Sequence, residues 1–248
     1  MLQTQRLLLI APSSMTRTAA FERAAALAHA MQMPLHIVAF DYLQALAVAG
    51  LFAPEQISRA REGFLENHRK WLAEQAELIS KHGLKVTSEV VWVHHPYEEI
   101  LHFVNEMPLA LIVKDAEHVP TLKRVFFTPL DWQLLRDCPV PVHLVTDAYP
   151  PLPRKVLVIV DVLRSEDQDA VFNDQIVAAA SQLADQCQAQ LDLLHVYDWA
   201  AVYATDMGYG AVPLAEGLYE ALNEAQHEAF ASLAERQGVP PDRCHFIE

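Results

Sequence analysis

Apolar positions along the chain fall into two alternating patterns. Leu7 to Ile10 is apolar at every position, which predicts a strand buried on both faces, as in a parallel sheet covered by helices. Further strands are predicted at Leu35 to Phe40, Val86 to Val93, Leu109 to Val113 and Val142 to Val145. Between them the apolar residues recur at helical spacing. Ala20, Ala24, Leu27, Ala28 and Met31 stripe a helix from about Thr16 to Met31, and Pro34 stops it. Phe64, Leu65, Trp71, Leu72, Ala76, Leu78 and Ile79 stripe a longer one that Gly83 is placed to end. Pro96 with Glu98 and Glu99 opens a third helix that runs to about Glu106, since proline suits the first helical position and carboxylates suit the positive end of the dipole. Thr128-Pro129-Leu130-Asp131 opens a fourth, with capping-box spacing and proline at the first position. Strands alternating with helices through short loops specify a layered α/β fold with right-handed crossovers and a mostly parallel sheet.

The pattern then begins again. Three prolines, Pro150, Pro151 and Pro153, make the stretch after Val145 an extended, semi-rigid connector. Beyond it come a strand at Val156 to Val160, a helix near Asn173 to Cys187, a strand at Leu191 to Val196, and a long helix carrying Leu218, Leu222, Ala225, Ala229, Phe230 and Leu233 and ending at Gly238. The first strands of the two runs lie 149 residues apart and the second strands 156, the drift being assigned to an insertion near Ser165 to Val171. The chain therefore reads as two similar domains, residues 1–147 and 154–248, joined by a linker at 148–153. The third strand of the second run, Cys244 to Ile247, is its last, so the second domain is expected to be truncated there.

Composition narrows the classes. With 248 residues, 52% hydrophobic and 20% charged, the chain has enough apolar material for one large or two ordinary domains. A formal charge of −14 argues against nucleic acid or anionic lipid as partner. Cys138, Cys187 and Cys244 are odd in number and share no CxxC spacing, which suits a reducing cytoplasm. No apolar run approaches the roughly 18 residues of a membrane span, and the four strongly apolar residues after Arg6 are too few for a signal-peptide core.

The run from Val125 to Val142, VFFTPLDWQLLRDCPVPV, resembles the first domain of tandem universal stress proteins of the E type, as does Val90-Val91-Trp92 followed by Pro96-Tyr97-Glu98-Glu99-Ile100. The resemblance covers nearly the whole chain. It implies two doubly wound, Rossmann-like parallel-sheet domains of strand order 3-2-1-4-5, the second incomplete, packed as an intramolecular pseudo-dimer, with a homodimer as a further option. It also implies a noncatalytic stress-response protein. Nucleotide-binding members use an Asp at the end of the first strand and a Gly-x2-Gly-x9-Gly-Ser/Thr stretch after the fourth. Here the first domain has Ala11 at the Asp position, and Lys114-Asp115-Ala116-Glu117-His118-Val119-Pro120 follows Val113 without glycine. Glycines let backbone N–H groups approach phosphate and pass it to a helix N-terminus; Phe126 and Phe127 cannot. The second domain keeps Asp161 and, on its second strand, Val196 as nucleotide-side residues, but a phosphate loop would lie beyond Glu248. No cofactor is expected for this chain, and ATP only with such a further segment.

Each candidate residue also has a plainer reading. Asp161 has an adenine- or ribose-side role by resemblance, or else is a turn residue or helix N-cap. His94-His95 lies on the edge where parallel α/β folds bind ligands, and is either part of a metal or catalytic site or an ordinary loop pair. Lys114, Lys123 and Arg124 hold an anion or lie in a solvated loop. Trp71, Trp92 and Trp132 sit amid apolar neighbours and read as core or interdomain packing rather than a stacking platform. Cys138 reads as a structural thiol. The competing function is a nucleotide-hydrolysing or adenylating α/β enzyme, against which stands the lack of GxSxG, HExxH or GKS/T.

Overall fold

The computed structural model describes residues 5–44, 54–81, 83–117, 129–146, 150–162, 167–197 and 218–247. They form two compact units, Met1–Leu152 and Pro153–Glu248, whose boundary falls inside the proline-rich stretch.

In the first unit the order is β1 (Arg6–Ala11), α1 (Ala19–Ala30), β2 (Leu35–Asp41), α2 (Pro54–Ser80), β3 (Val86–Trp92), α3 (Pro96–Glu106), β4 (Leu109–Asp115), α4 (Leu130–Asp137) and β5 (Val142–Val145). All five strands are parallel, in the order β3-β2-β1-β4-β5. The central strand β1 has helices on both of its faces, so Leu7, Leu8 and Leu9 are each fully buried, contributing about 1.5–3 kcal/mol apiece relative to exposure. One face of the sheet is covered by α1 along β1 and by α2 along β3, Phe21, Leu27 and Leu72 being fully buried; Leu8, Ile10 and Val38 pack on the other with Ile100, Phe103 and Leu134 from α3 and α4. Helix α4 departs from expectation at its start. Pro129 is the N-cap, at φ −56° and ψ 149°, rather than the first helical residue. Thr128, read as its capping residue, lies outside the described residues, as do Lys123, Arg124, Phe126 and Phe127.

The second unit contains β6 (Lys155–Ile159), α5 (Asp167–Cys187), β7 (Gln190–Val196), α6 (Leu218–Arg236), a short 3-10 turn (Pro241–Arg243) and β8 (Cys244–Ile247). Its three strands are parallel in the order β6-β7-β8. Part of the stretch assigned to an insertion, Asp167 to Val171, is helical: α5 has 21 residues against 12 in α1, so the extra residues lengthen the helix. The helix ends repeat closely. Gln32 and Gln188 take positive φ (52° and 54°) where α1 and α5 stop, and the next N–H groups bond back alike, Met33 to Ala28 at 2.9 Å and Ala189 to Ala184 at 2.8 Å. Gly83 and Gly238, at φ 84° and 67°, follow α2 and α6.

The two sheets differ in what covers them. By strand register, Leu157, Ile159, Leu194, Val196 and Ile247 occupy the positions of Leu8, Ile10, Val38, Phe40 and Val91. In the first unit those positions lie under α3 and α4. In the second, Leu157, Ile159, Val196 and Ile247 are 54, 65, 50 and 50% exposed. The opposite face is packed, Val158, Val160 and Leu193 meeting Val177, Phe230 and Leu233.

Candidate functional site

In a sheet of order 3-2-1-4-5 the chain leaves β1 and β4 in opposite directions, and a crevice opens between their carboxyl ends. Here that crevice is a cavity of about 310 Å³. Ile10 to Ser13 follow β1 into it, Phe40 comes from β2, Pro96 and Leu130 from the starts of α3 and α4, and Lys114 to Glu117 from the end of β4.

Its polar groups are matched to one another. Lys114 is 5% exposed and forms an ion pair with Asp131, itself 7% exposed. The same ammonium donates to the Asp115 carbonyl at 2.8 Å and lies 3.6 Å from the Glu117 carboxylate. The second oxygen of Asp131 accepts the Glu117 backbone N–H at 2.7 Å. Lys114 is thus neither a solvated loop residue nor a free anion holder, and the Asp131 carboxylate is turned onto the end of β4. Asp115 looks the other way. Its carboxylate accepts from Thr18 Oγ1 at 2.6 Å and from the Ala20 backbone N–H at 3.2 Å, filling the N-terminus of α1 with an internal anion. In the crevice that the fold would offer to a phosphate, the lining ammonium of Lys114 is thus already matched by carboxylates.

A second polar group lies at the end of β2. Asp41 is 1% exposed and bonds His68 Nδ1 on α2, while its Oδ1 has no partner. Burial pushes this carboxyl above its ordinary range, opposed by the hydrogen bond and charge of His68. Phe64 packs on the imidazole with ring centres 4.0 Å apart, and Trp92 meets Phe64 edge-on at 6.0 Å. Among the described residues no hydroxyl or thiol bonds to His68. His94 and His95 bond each other, Nδ1 to Nε2 at 2.9 Å, and Tyr42 covers His94 at 4.4 Å. No group of three or more metal-ligating side chains occurs among the described residues. Trp71 and Trp92 pack against Phe21, Phe64 and Tyr42, whereas Trp132 is 61% exposed and does not belong to the core.

In the second unit, Asp161 and Val196 come to the same level on neighbouring strands. Ile159 pairs with Leu194 and the Val160 N–H donates to Leu194 O at 3.0 Å, which puts each of the two residues two positions further on, at the carboxyl edge. Both are exposed. Their backbone is held from behind, where buried His195 bonds Val160 O through Nδ1 and Gln226 Oε1 through Nε2, both at 3.0 Å. Asn173 of α5 donates to Asp161 O at 2.7 Å. Helix α5 begins at Asp167, so Asp161 is not its N-cap. Asn173, His195 and Gln226 were not legible as support for this edge; a histidine inside an apolar strand was their one sequence signal.

The model of the universal stress protein family matches residues 4–146. Universal stress protein E of Salmonella typhi and that of Escherichia coli (strain K12) are 35% and 34% identical over 136 residues, which is 55% of this chain and 43% of each relative. A universal stress protein E homolog of Haemophilus influenzae is 27% identical over 203 residues, 81% of this chain and 65% of its own length. The matched part thus spans less than half the length of the E-type relatives from Salmonella typhi and Escherichia coli. Among solved structures, one described as a universal stress protein from Pseudomonas aeruginosa UCBPP-PA14 superposes with a TM-score of 0.67 at 21% identity, over 99% of this chain and 74% of that one. Another from Archaeoglobus fulgidus DSM 4304 gives 0.55 at 16% identity, over 84% and 73%.

Proposed function

We propose, because the chain belongs to the universal stress protein family, that it is a noncatalytic stress-response protein of the tandem E type. In this reading the first unit is a structural partner, and ligand recognition falls to the second, through Asp161 and Val196. The observation that carries it is the occupation of the first crevice by its own charges. Lys114, which lines the crevice, is already paired with Asp131, and Glu117 adds negative charge beside it. Ala11 leaves the adenosine end without a carboxylate. Losing several charge-assisted contacts of about 1.5–3 kcal/mol each takes a micromolar nucleotide site to the millimolar range.

Isothermal titration with ATP tests this. Heat that stays unsaturated into the millimolar range is expected. Saturation at micromolar concentration that survives Asp161→Ala would assign nucleotide binding to the first unit and sink the proposal. Mass spectrometry of small molecules released from the purified protein separates binding from turnover, since a hydrolysis product in place of an intact ligand would favour an enzyme.

A further inference from the structure

Sequence creates a second concavity in the second unit. The glycines that follow α2 and α6 serve as a common reference point. Four residues before its glycine α2 carries Ile79 and eleven before it Leu72, 5 and 0% exposed, closing the space between helix and strand. At the same places α6 carries Ala234 and His227. The connection to the next strand is also longer, residues 239–243 against 84–85, and stands off as Pro240-Pro241 and the 3-10 turn. What remains is a groove of about 700 Å³ between the end of α6 and β8, within the range of small-molecule sites.

Its walls have a definite chemistry. Phe246 supplies aromatic surface with buried Phe230 behind it, their ring centres 6.1 Å apart, and His227 lies flat on Phe246 at 3.6 Å. Glu235 is the charged group in the lining, and no lysine or arginine lines the groove among the described residues. Arg236, next on the helix, is turned to Asp174 at 3.1 Å. Cys244 closes one end, its thiol donating to Pro240 O at 3.5 Å. Burial, and then the Asp242 and Asp192 carboxylates, hold that thiol above its ordinary range. Aromatic faces and a carboxylate both attract cations, while anions meet no donor of full charge.

We propose that this groove between α6 and β8 binds small organic cations with an aromatic body, such as aromatic amines, the ring lying beside Phe246 and His227 and the ammonium reaching Glu235. The site is independent of the crevice between β1 and β4.

Tryptamine and indole-3-propionate share a ring system and differ in charge, and Cys244 reports occupancy. With the full chain, tryptamine at ten times its dissociation constant is expected to slow alkylation of Cys244 by iodoacetamide about tenfold by mass action, leaving Cys138 unaffected. Indole-3-propionate protects less. Ala234→Ile refills the groove with the side chain that α2 carries and abolishes protection; Glu235→Gln, on the surface, removes the preference for the cation. No protection at millimolar tryptamine, equal protection by both indoles, or protection that persists in Ala234→Ile would each overturn the assignment.

Discussion

At the residue scale, the charges buried at the carboxyl edge act chiefly on stability. Lys114 and Asp131 compensate each other in a water-poor place, so Lys114→Met should leave a buried carboxylate unpaired at a cost of about 3–5 kcal/mol. The double variant Lys114→Met, Asp131→Leu should recover most of that loss in urea denaturation. An equal cost for both variants would mean the pair does not interact. His143 on β5 gives a pH signature. Burial first, and then Arg23, hold its imidazole below the ordinary 6.5, so the unfolded chain takes up the proton more readily than the fold does. Its contribution is present above pH 6.5 and is lost as pH falls below that value toward the depressed folded value. Asp41 has the opposite sign, its contribution fading as pH rises from the ordinary 3.8 through its raised value. His143→Gln should therefore flatten the acid side of the melting-temperature profile, measured by circular dichroism, and an unchanged slope would exclude His143 as its source.

At the scale of elements, α1 depends on a strand far from it in sequence. Thr18 is the N-cap of α1 but makes no capping hydrogen bond itself; its hydroxyl donates to Asp115, whose carboxylate takes the Ala20 N–H. One carboxylate thereby joins the end of β4 to the start of α1 across the first crevice. Asp115→Ala should cost about 0.5–2 kcal/mol, as loss of a cap does. Asp115→Asn, which retains an acceptor oxygen, should cost less. Hydrogen exchange at Ala20 and Phe21 should rise in the alanine variant; protection unchanged there would show that the helix start is held by something else.

At the scale of the whole molecule, the second sheet leaves apolar surface in water. Leu157, Ile159, Val196 and Ile247, each half exposed or more, form one apolar face, and contiguous exposed apolar faces mark interaction sites. Strand β6 also forms the edge of its sheet, whereas its counterpart β1 is paired on both sides. The chain should therefore self-associate as its concentration rises, visible in sedimentation velocity. Ile159→Lys with Val196→Lys should shift it toward monomer while the far-ultraviolet spectrum stays the same. A monomer at every concentration, or association indifferent to both lysines, would rule out this face as the contact.

The alternation of buried runs with helical stripes, together with the chirality of parallel crossovers, was enough to determine the α/β class and the position of most strands. These follow from periods of two and 3.6 that any continuous segment carries in itself. The shortfall at the site has a different cause. Lys114 and Asp131 stand 17 positions apart and Thr18 and Asp115 97 apart, and no local pattern says that they meet. Locally, Asp131 reads as a residue of a helix's first turn; in three dimensions it partners a buried ammonium, which burial leaves in need of a counter-charge. Ala234 is one more small residue on a helix until β8 is set beside it. The sequence by itself determined the layers; only tertiary structure decided that the first crevice is filled by its own charges and that the second unit has an open groove. Both depend on which side chains distant strands bring within a few ångströms.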